Sequence, residues 1–488
     1  MLPLRLNLLV KTFAIYILTM EKSRLVFVLT AFSGREMRQF GKYVESPFFN
    51  ESSALVELFK YLHQCYPDFL PEHIALRTVW QQLFGDEAFK EIKLRQLMSK
   101  LLSLAEQFLA YQQWQHATIR MQLDTTTALQ DRPLPKLFWS SWTTAEKTNE
   151  EQPLRSVEYH QNRSTLAQIK HHYIEQQEQR DIEPELQSVS DSLDRLFVLQ
   201  KLKFFCKMHN YQHISHKPYR YELQDAIVEY AKIQNFEEQP AIGAYYFALM
   251  TICNKEESTH FFALKHILQK YHYLFSPEEL QDLFVLARNF CIRRANVGER
   301  DFAHELLDLY KTEIDQETIL QNGYIAPATY KNIVTLAIAL KELEWVVDFV
   351  EQLKQHLRPE HRDEVYALNL ARILFSQQNY VPILPLLQQV HYRDTLFELS
   401  AKTLMLQTYF ELGEYQVLLS FLDSFSVFLQ RKTSVSNLRK HYQNLLKYVK
   451  KWVSIPDYDK TARQQLWEEI EQLPNVAERA WLLNKVRP

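Results

Sequence analysis

The feature that most constrains the fold is a repeated spacing of aromatic residues between positions 329 and 423. Trp345, Tyr380 and Tyr415 follow one another at equal steps of 35 residues. The positions five residues earlier are also large and apolar: Leu340, Phe375 and Phe410. Two helices of about 12–14 residues and two turns fill a period of this length. The spacing therefore predicts helix pairs stacked into an α-solenoid.

The composition extends the helical prediction to the rest of the chain. Hydrophobic residues make up 46% of the 488 residues, which is enough to build a packed core. Only 7 residues are glycine, the residue that tight hairpins, strand bulges and phosphate-binding loops need. We therefore predict an all-α protein with an N-terminal helical domain and a helical-repeat solenoid.

Proline positions and changes in pattern suggest six segments along the chain. Residues 131–154 hold Pro133, Pro135 and Pro153 and mark the first boundary, although Phe138 and Trp142 would be costly to expose. The predicted segments are an extension at 1–19, an N-terminal helical domain at 20–130, a linker at 131–154, a middle helical array at 155–275, the solenoid at 276–425 and a basic C-terminal helical cap at 426–488.

The first 19 residues are apolar but carry Arg5, Asn7 and Lys11, so their uncharged run is too short to span a bilayer. We expect Met20 to be the true first residue, with 1–19 a non-native start extension. The alternative is a weak targeting segment that is cleaved or tethers the chain to a membrane.

Local signals place individual helices in the N-terminal domain. Ser33 and Glu36 form a capping box, and Pro47 ends the helix that they start. A second helix is predicted over Ser53–Cys65. The run Ser46-Pro47-Phe48-Phe49-Asn50 resembles the start of a family of large helical proteins, and that likeness implies no activity.

The run from Tyr409 to Leu419 resembles the tetratricopeptide repeat around the turn between its two helices. Gly413 matches the glycine that makes this turn, and Tyr415 matches the aromatic residue that packs between the helices. The two preceding units have Gln378 and Leu343 where the glycine belongs. The resemblance implies a groove, lined by the first helix of each pair, that binds a peptide or another protein.

The resemblance also implies which residues face this groove. Carried across by position, they are Lys341, Arg372, Ser376, Gln407 and Glu411. The alternative is that these side chains only meet solvent.

Signatures of enzymatic chemistry are absent from the sequence. No two glycines lie close enough to form a dinucleotide-binding loop, a nucleophile elbow or a P-loop, and there is no HExxH. Cys206, His209, His213 and His216 would share one helix face, but four ligands along about 15 Å cannot converge on one ion. We predict no catalytic residue, no cofactor and no metal site. The four scattered cysteines favour reduced thiols and a cytoplasmic location.

A basic stretch lies between residues 424 and 456, which carry seven Lys and Arg residues and no acidic one. An apolar stripe on the same helix leaves the charges on its other faces, as in helices that bind nucleic acid or an anionic surface. The candidate contact residues are Arg439, Lys440, Lys447 and Lys451. The alternative is a solvated face, or pairing with acids such as Glu468, Glu469 and Glu471.

These observations lead to two hypotheses about function. The first is a non-enzymatic scaffold or adaptor that binds a peptide or protein in the solenoid groove. The second is binding of nucleic acid or an anionic surface through the basic helix at 431–451. The net charge of −3 provides no overall field that would favour the second.

Overall fold

A computed structural model describes residues 20–176, 186–215, 218–456 and 458–487. The regular secondary structure of these residues is helical, and the only β contact among them is an isolated bridge between Gln321 and Tyr324. The all-α prediction is therefore confirmed. None of the helices in these ranges has the length and apolar character needed to cross a bilayer. The predictions for residues 1–19 fall outside the described part of the chain.

The chain divides into two compact units, and the first holds the described residues up to Gln152 and from Glu158 to Leu193. Its helices follow one another with short connections. They are α1 (Arg24–Ala31), α2 (Gly34–Glu45), α3 (Ser53–Cys65), α4 (Leu76–Phe84), α5 (Glu91–His116), α6 (Thr118–Gln130), α7 (Pro135–Glu150) and α8 (Val157–Gln176).

Local signals position the first helices as expected. The Ser33 hydroxyl accepts from the Glu36 N–H at 3.2 Å and the Glu36 carboxylate accepts from the Ser33 N–H at 2.7 Å, so the capping box is confirmed. Helix α2 ends at Glu45, before Pro47, and α3 has the predicted bounds. The buried stripes of α1 to α5 form one core.

The stretch predicted as a linker, 131–154, contains α7. Pro135 is compatible with this helix because it lies in the first turn, where a missing N–H costs no intrahelical bond. Phe138 is fully buried and stacks on Tyr173 of α8 with 3.5 Å between ring centroids. Phe138, Trp139 and Trp142 therefore pack in one core with residues of α6 and α8.

The second unit holds Pro153–Val157 and the described residues from Asp194 onward. Its helices pack mostly on their neighbours in sequence. They are α9 (Leu186–Ser215, from Asp194), α10 (Gln224–Lys232), α11 (Pro240–Cys253), α12 (Thr259–Lys270), α13 (Pro277–Asn296), α14 (Asp301–Asp315), α15 (Pro327–Ala339), α16 (Leu343–Leu353), α17 (Arg362–Ser376), α18 (Ile383–Gln388), α19 (Thr395–Glu411), α20 (Tyr415–Arg431), α21 (Arg439–Ser454), α22 (Lys460–Gln472) and α23 (Arg479–Val486).

Four helix pairs in this unit share one turn geometry. After α13, α15, α17 and α19 the chain passes through a left-handed residue, which is Gly298, Lys341, Gln378 or Gly413. At each turn the next N–H donates to a carbonyl five residues earlier, as in the Schellman motif. In the first predicted unit the left-handed residue is Lys341 and not Leu343, because α16 already begins at Leu343. The aromatic residue therefore follows the left-handed residue by four positions at Trp345 but by two positions at Tyr380 and Tyr415.

The left-handed conformation gives a stability prediction. Gln378 has φ of 59° and an exposed side chain, so Gln378→Gly should raise the free energy of unfolding by about 1 kcal/mol by removing backbone strain. Gly413→Ala should lower the free energy of unfolding by a similar amount, because alanine is strained at the φ of 73° found at this position. An added Cβ would meet no atom within 4 Å, so no steric clash adds to the effect. Urea unfolding curves measure both changes.

The matched control for this prediction is the neighbouring exposed residue Gln377, which has a right-handed backbone conformation with φ of −81°. Gln377→Gly should destabilise the protein, because glycine relieves no backbone strain at this position and increases the conformational entropy of the unfolded chain. Equal effects of glycine at 377 and 378 would contradict the argument from backbone conformation.

The core of the second unit contains an ion pair. Arg288 of α13 and Glu313 of α14 are hydrogen-bonded, with 15% and 3% of their side chains exposed. Burial raises the pKa of Glu313 to about 7, although Arg288 opposes this shift. The guanidinium also lies 5.1 Å from the ring centroid of Tyr310. This pair joins two successive helices inside the core.

Candidate protein-binding site

Two of the predicted groove residues lie one turn apart on α19 and contact the last described helix, α23. Gln407 donates from Nε2 to Oε2 of Glu478 over 3.4 Å. Glu411 accepts two hydrogen bonds, from Nε1 of Trp481 at 3.0 Å and from Nζ of Lys485 at 2.7 Å. The α19 face around Gln407 and Glu411 therefore already holds a helical segment.

The contact at Glu411 is largely shielded from water. The Glu411 side chain is only 10% exposed, and each of its carboxylate oxygens has a donor on α23. Charge-assisted hydrogen bonds of this kind are stronger than those between neutral groups. Glu411 thus recognises both an indole N–H and an ammonium group.

Apolar packing surrounds these polar contacts. The rings of Phe410 and Trp481 meet edge to face with centroids 5.2 Å apart, and Phe410 also lies 4.5 Å from the centroid of Trp452. Leu482 and Val486 of α23 are buried in the core that α19 to α22 share. Helix α23 therefore combines two aliphatic anchors with one aromatic contact.

Arg372 of α17 is the third predicted groove residue near this contact. Its Nη1 atom is buried without a hydrogen-bond partner in the structure. Burial lowers the pKa of Arg372, while the negative charge of Glu478 opposes this shift. The same carboxylate thus interacts with both Gln407 and the positive charge on α17.

Local sequence fixes α19 beside α17. Asp394 caps α19 by accepting from the N–H groups of Leu396 and Phe397. Glu364 of α17, which is almost fully buried, accepts from the N–H of Arg393 at 2.9 Å. This carboxylate ties the segment that leads into α19 to the first turn of α17.

Backbone contacts position the start of α23. Asn444 of α21 donates to the carbonyl of Asn475 at 2.8 Å, and Ala477 donates to the carbonyl of His441 at 3.1 Å. Glu478 then takes a left-handed conformation with φ of 50°. These contacts turn the chain so that Trp481 and Lys485 reach Glu411.

The other two predicted groove residues do not join this contact. The Ser376 hydroxyl donates to the carbonyl of Ile373 in its own helix at 2.7 Å. Lys341 is exposed in the turn between α15 and α16. The described contact thus brings together Gln407 and Glu411, with Arg372 nearby, but not Ser376 or Lys341.

The predicted basic residues of α21 have different surroundings. Arg439 donates to the carbonyls of Leu429 and Lys432, and Lys451 pairs with Glu469 at 2.6 Å. The hydrogen bond from Lys451 lowers the pKa of Glu469. Pairing with an acid of the neighbouring helix, the alternative raised for this stretch, therefore holds for Lys451.

Lys440 and Lys447 are exposed on the same side of α21 as Lys450 and Lys451, because these positions fall within about a third of the helix circumference. Lys450 pairs with Asp423 at 3.2 Å. Beside the lysines, an open hollow of about 550 Å³ lies between α21 and α22, with Ile455, Ala462 and Leu466 among its lining residues. The basic face therefore borders an apolar depression.

The cysteine and histidine row is described only in part. The Cys206 thiol is buried and donates to the Tyr245 carbonyl, and burial raises its pKa. His209 stacks on Tyr221 with 4.1 Å between centroids. The side chains of His213 and His216 fall outside the described part. Within the described ranges, no group of three His, Cys, Asp or Glu residues is arranged to hold a metal ion.

Sequence reasoning missed two features of this unit. The first is the partner of the α19 face, since α23 lies about 70 residues further along the chain. The second is an exposed stripe on α9 formed by Phe197, Phe204 and Tyr211, each about half exposed. Their seven-residue spacing is visible in the sequence and indicates one helix face.

The structure defines a large all-helical protein whose helices pack mainly in sequential pairs. Searches against protein-family models, curated proteins and solved structures found no match to the chain.

Proposed function

We propose that the chain is a non-enzymatic interaction scaffold that binds a helical segment of another protein on the face formed by α17 and α19. In this proposal residues 276–425 act as a tetratricopeptide-like solenoid, as the resemblance at Gly413 and Tyr415 implies. The observation that supports it is the contact between Glu411 and α23. A carboxylate on the predicted groove helix already recognises an aromatic N–H and an ammonium group of a helix.

The experiment that tests this function is affinity purification of the tagged full chain from its native cells, with washes at low and then high salt. Wild type should retain a stoichiometric protein at high salt. Glu411→Lys should lose that protein, because the substitution places a cation where the site holds a carboxylate. The matched control is Glu414→Lys, which makes the same charge change at an exposed residue three positions away.

Two outcomes would count against the scaffold function. One is that no protein survives the high-salt wash with wild type. The other is that Glu411→Lys and Glu414→Lys retain the same protein equally well. Helix content and melting temperature of each variant separate loss of binding from loss of folding.

A second candidate function is electrostatic binding of a polyanion through α21. It is favoured by the exposed lysine face beside the hollow between α21 and α22. Lys440 and Lys447 are the test positions for this function. Arg439 and Lys451 are less suitable, because they already bond to backbone carbonyls and to Glu469.

For a polyanion-binding protein, Lys440→Gln combined with Lys447→Gln should weaken binding of a single-stranded oligonucleotide. It should also reduce the slope of log K against log salt by about 1.4, because two phosphate contacts to a single strand are lost. Fluorescence anisotropy across a salt series measures both quantities. The control pair Lys100→Gln and Lys136→Gln removes two exposed charges from the first unit. Equal effects of the two pairs would contradict a role for α21.

A further inference from the structure

Helix α23 presents three recognition residues to α19 in a simple order. Glu478 immediately precedes the helix, Trp481 comes three positions later and Lys485 seven positions later. Residues at this spacing lie on one side of a helix. They meet Gln407, Phe410 and Glu411 in the same order along α19. Helix α23 therefore lies along α19 in the way that a helical ligand lies along a receptor helix.

Several properties of α23 fit a ligand that can be released. The helix has eight residues, which is shorter than the 12–15 or so at which helices become stable in isolation, so it depends on its contacts. Its start is a non-glycine residue in the left-handed region, which carries backbone strain. The Lys485 side chain remains 36% exposed, so its ammonium group can regain full hydration when the contact with Glu411 opens.

The receptor face has properties that suit a ligand from another chain. It offers Gln407 and the positive charge of Arg372 to a carboxylate, the ring of Phe410 to an aromatic side chain, and Glu411 to a cation. The buried Nη1 of Arg372 has no hydrogen-bond partner in the present contact. A carboxylate that satisfied Nη1 would add an interaction that α23 does not provide.

We propose that α23 is an internal ligand that covers the α19 face, and that a partner helix with an acidic residue, an aromatic residue three positions later and a basic residue seven positions later displaces it. The inference rests on the proposed scaffold function and specifies both the partner chemistry and the regulation of the same site. Because α23 is tethered, its effective concentration at α19 is on the order of millimolar. A partner must therefore bind tightly or be multivalent to compete.

The test uses a fluorescein-labelled peptide that copies residues 474–487, with the full chain as receptor. Glu411→Lys should release α23 by placing two cations against each other. The α19 face of this variant is then exposed. It should bind a peptide carrying Lys485→Glu at least tenfold more tightly than the unmodified peptide. Wild-type chain should bind both peptides weakly, because α23 occupies the face. Fluorescence anisotropy measures the dissociation constants.

A second variant keeps the receptor face intact. Trp481→Ala combined with Lys485→Ala weakens only the internal ligand, so the unmodified peptide should bind this chain at least tenfold more tightly than it binds wild type. The aliphatic anchors Leu482 and Val486 are retained so that the core stays packed. The second variant therefore tests the inference even if Glu411→Lys prevents the chain from folding.

The results separate the internal-ligand inference from the scaffold function. The inference is overturned if the charge-reversed peptide shows no preference for Glu411→Lys and the second variant binds the unmodified peptide no better than wild type. If a natural partner still depends on Glu411 in that case, the scaffold function stands without it. If the peptides behave as expected but no protein co-purifies with the chain, the internal ligand is supported and the scaffold function fails.

Discussion

Arg288→Met is expected to lower the free energy of unfolding by about 3–5 kcal/mol at pH 8, because it leaves the Glu313 carboxylate buried without its cation. The loss should be smaller at pH 5 by about 1 kcal/mol, because pH 8 lies only about one unit above the folded pKa of Glu313. Burial raises the pKa of Glu313 to about 7 in the folded state, above the ordinary value of 4.5. At pH 5 this carboxyl group is therefore already protonated and needs no cation.

The sign of the pH dependence follows from proton uptake on folding. Between pH 4.5 and 7 the folded wild-type protein binds more protons at Glu313 than the unfolded chain does. The contribution of Glu313 to the free energy of unfolding is therefore largest at low pH and falls as pH rises through 7. Without Arg288 the folded pKa moves higher, so the decline continues above pH 7.

Urea unfolding of wild type and Arg288→Met from pH 5 to 8.5 measures this effect. The double variant Arg288→Met, Glu313→Leu should recover most of the lost stability, because it removes both charges from the core. A cost that does not vary with pH, or a double variant as unstable as the single one, would contradict the role of the buried charge.

Phe138→Ala is expected to destabilise the first unit by about 3–5 kcal/mol. The ring is fully buried and stacks on Tyr173, so its removal leaves a cavity between α7 and α8. The matched control is Leu137→Ala, since the neighbouring leucine is 55% exposed and should cost less than about 1 kcal/mol. Thermal unfolding followed by circular dichroism tests both, and similar losses would contradict the packing of α7.

Local chemistry predicted much of the helical framework. Ser33 and Glu36 specify the start of α2 through their own hydrogen bonds, and α2 ends before Pro47 as predicted. Such signals act within a few residues and need no knowledge of distant contacts. Residue type does not indicate the left-handed conformation of Lys341 and Gln378, because neither residue favours it.

The groove on α19 stays a prediction, and the structure adds to it the contact with α23. Resemblance to a repeat indicates which helix positions point toward a groove, and Gln407 and Glu411 do face another segment. It cannot indicate that α23 covers them, because that contact depends on how α21 and α22 return the chain. The same resemblance also implied Ser376 as a groove residue, and its hydroxyl donates to the Ile373 carbonyl within α17.

The most direct test of the account is amide hydrogen exchange of the full chain, alone and bound to the protein that co-purifies with it. In the bound state, exchange should be slower in α17 and α19 and faster in α23, because the partner replaces the internal helix on the α19 face. Protection confined to α9 or to the basic face of α21, with α19 and α23 unchanged, would contradict it.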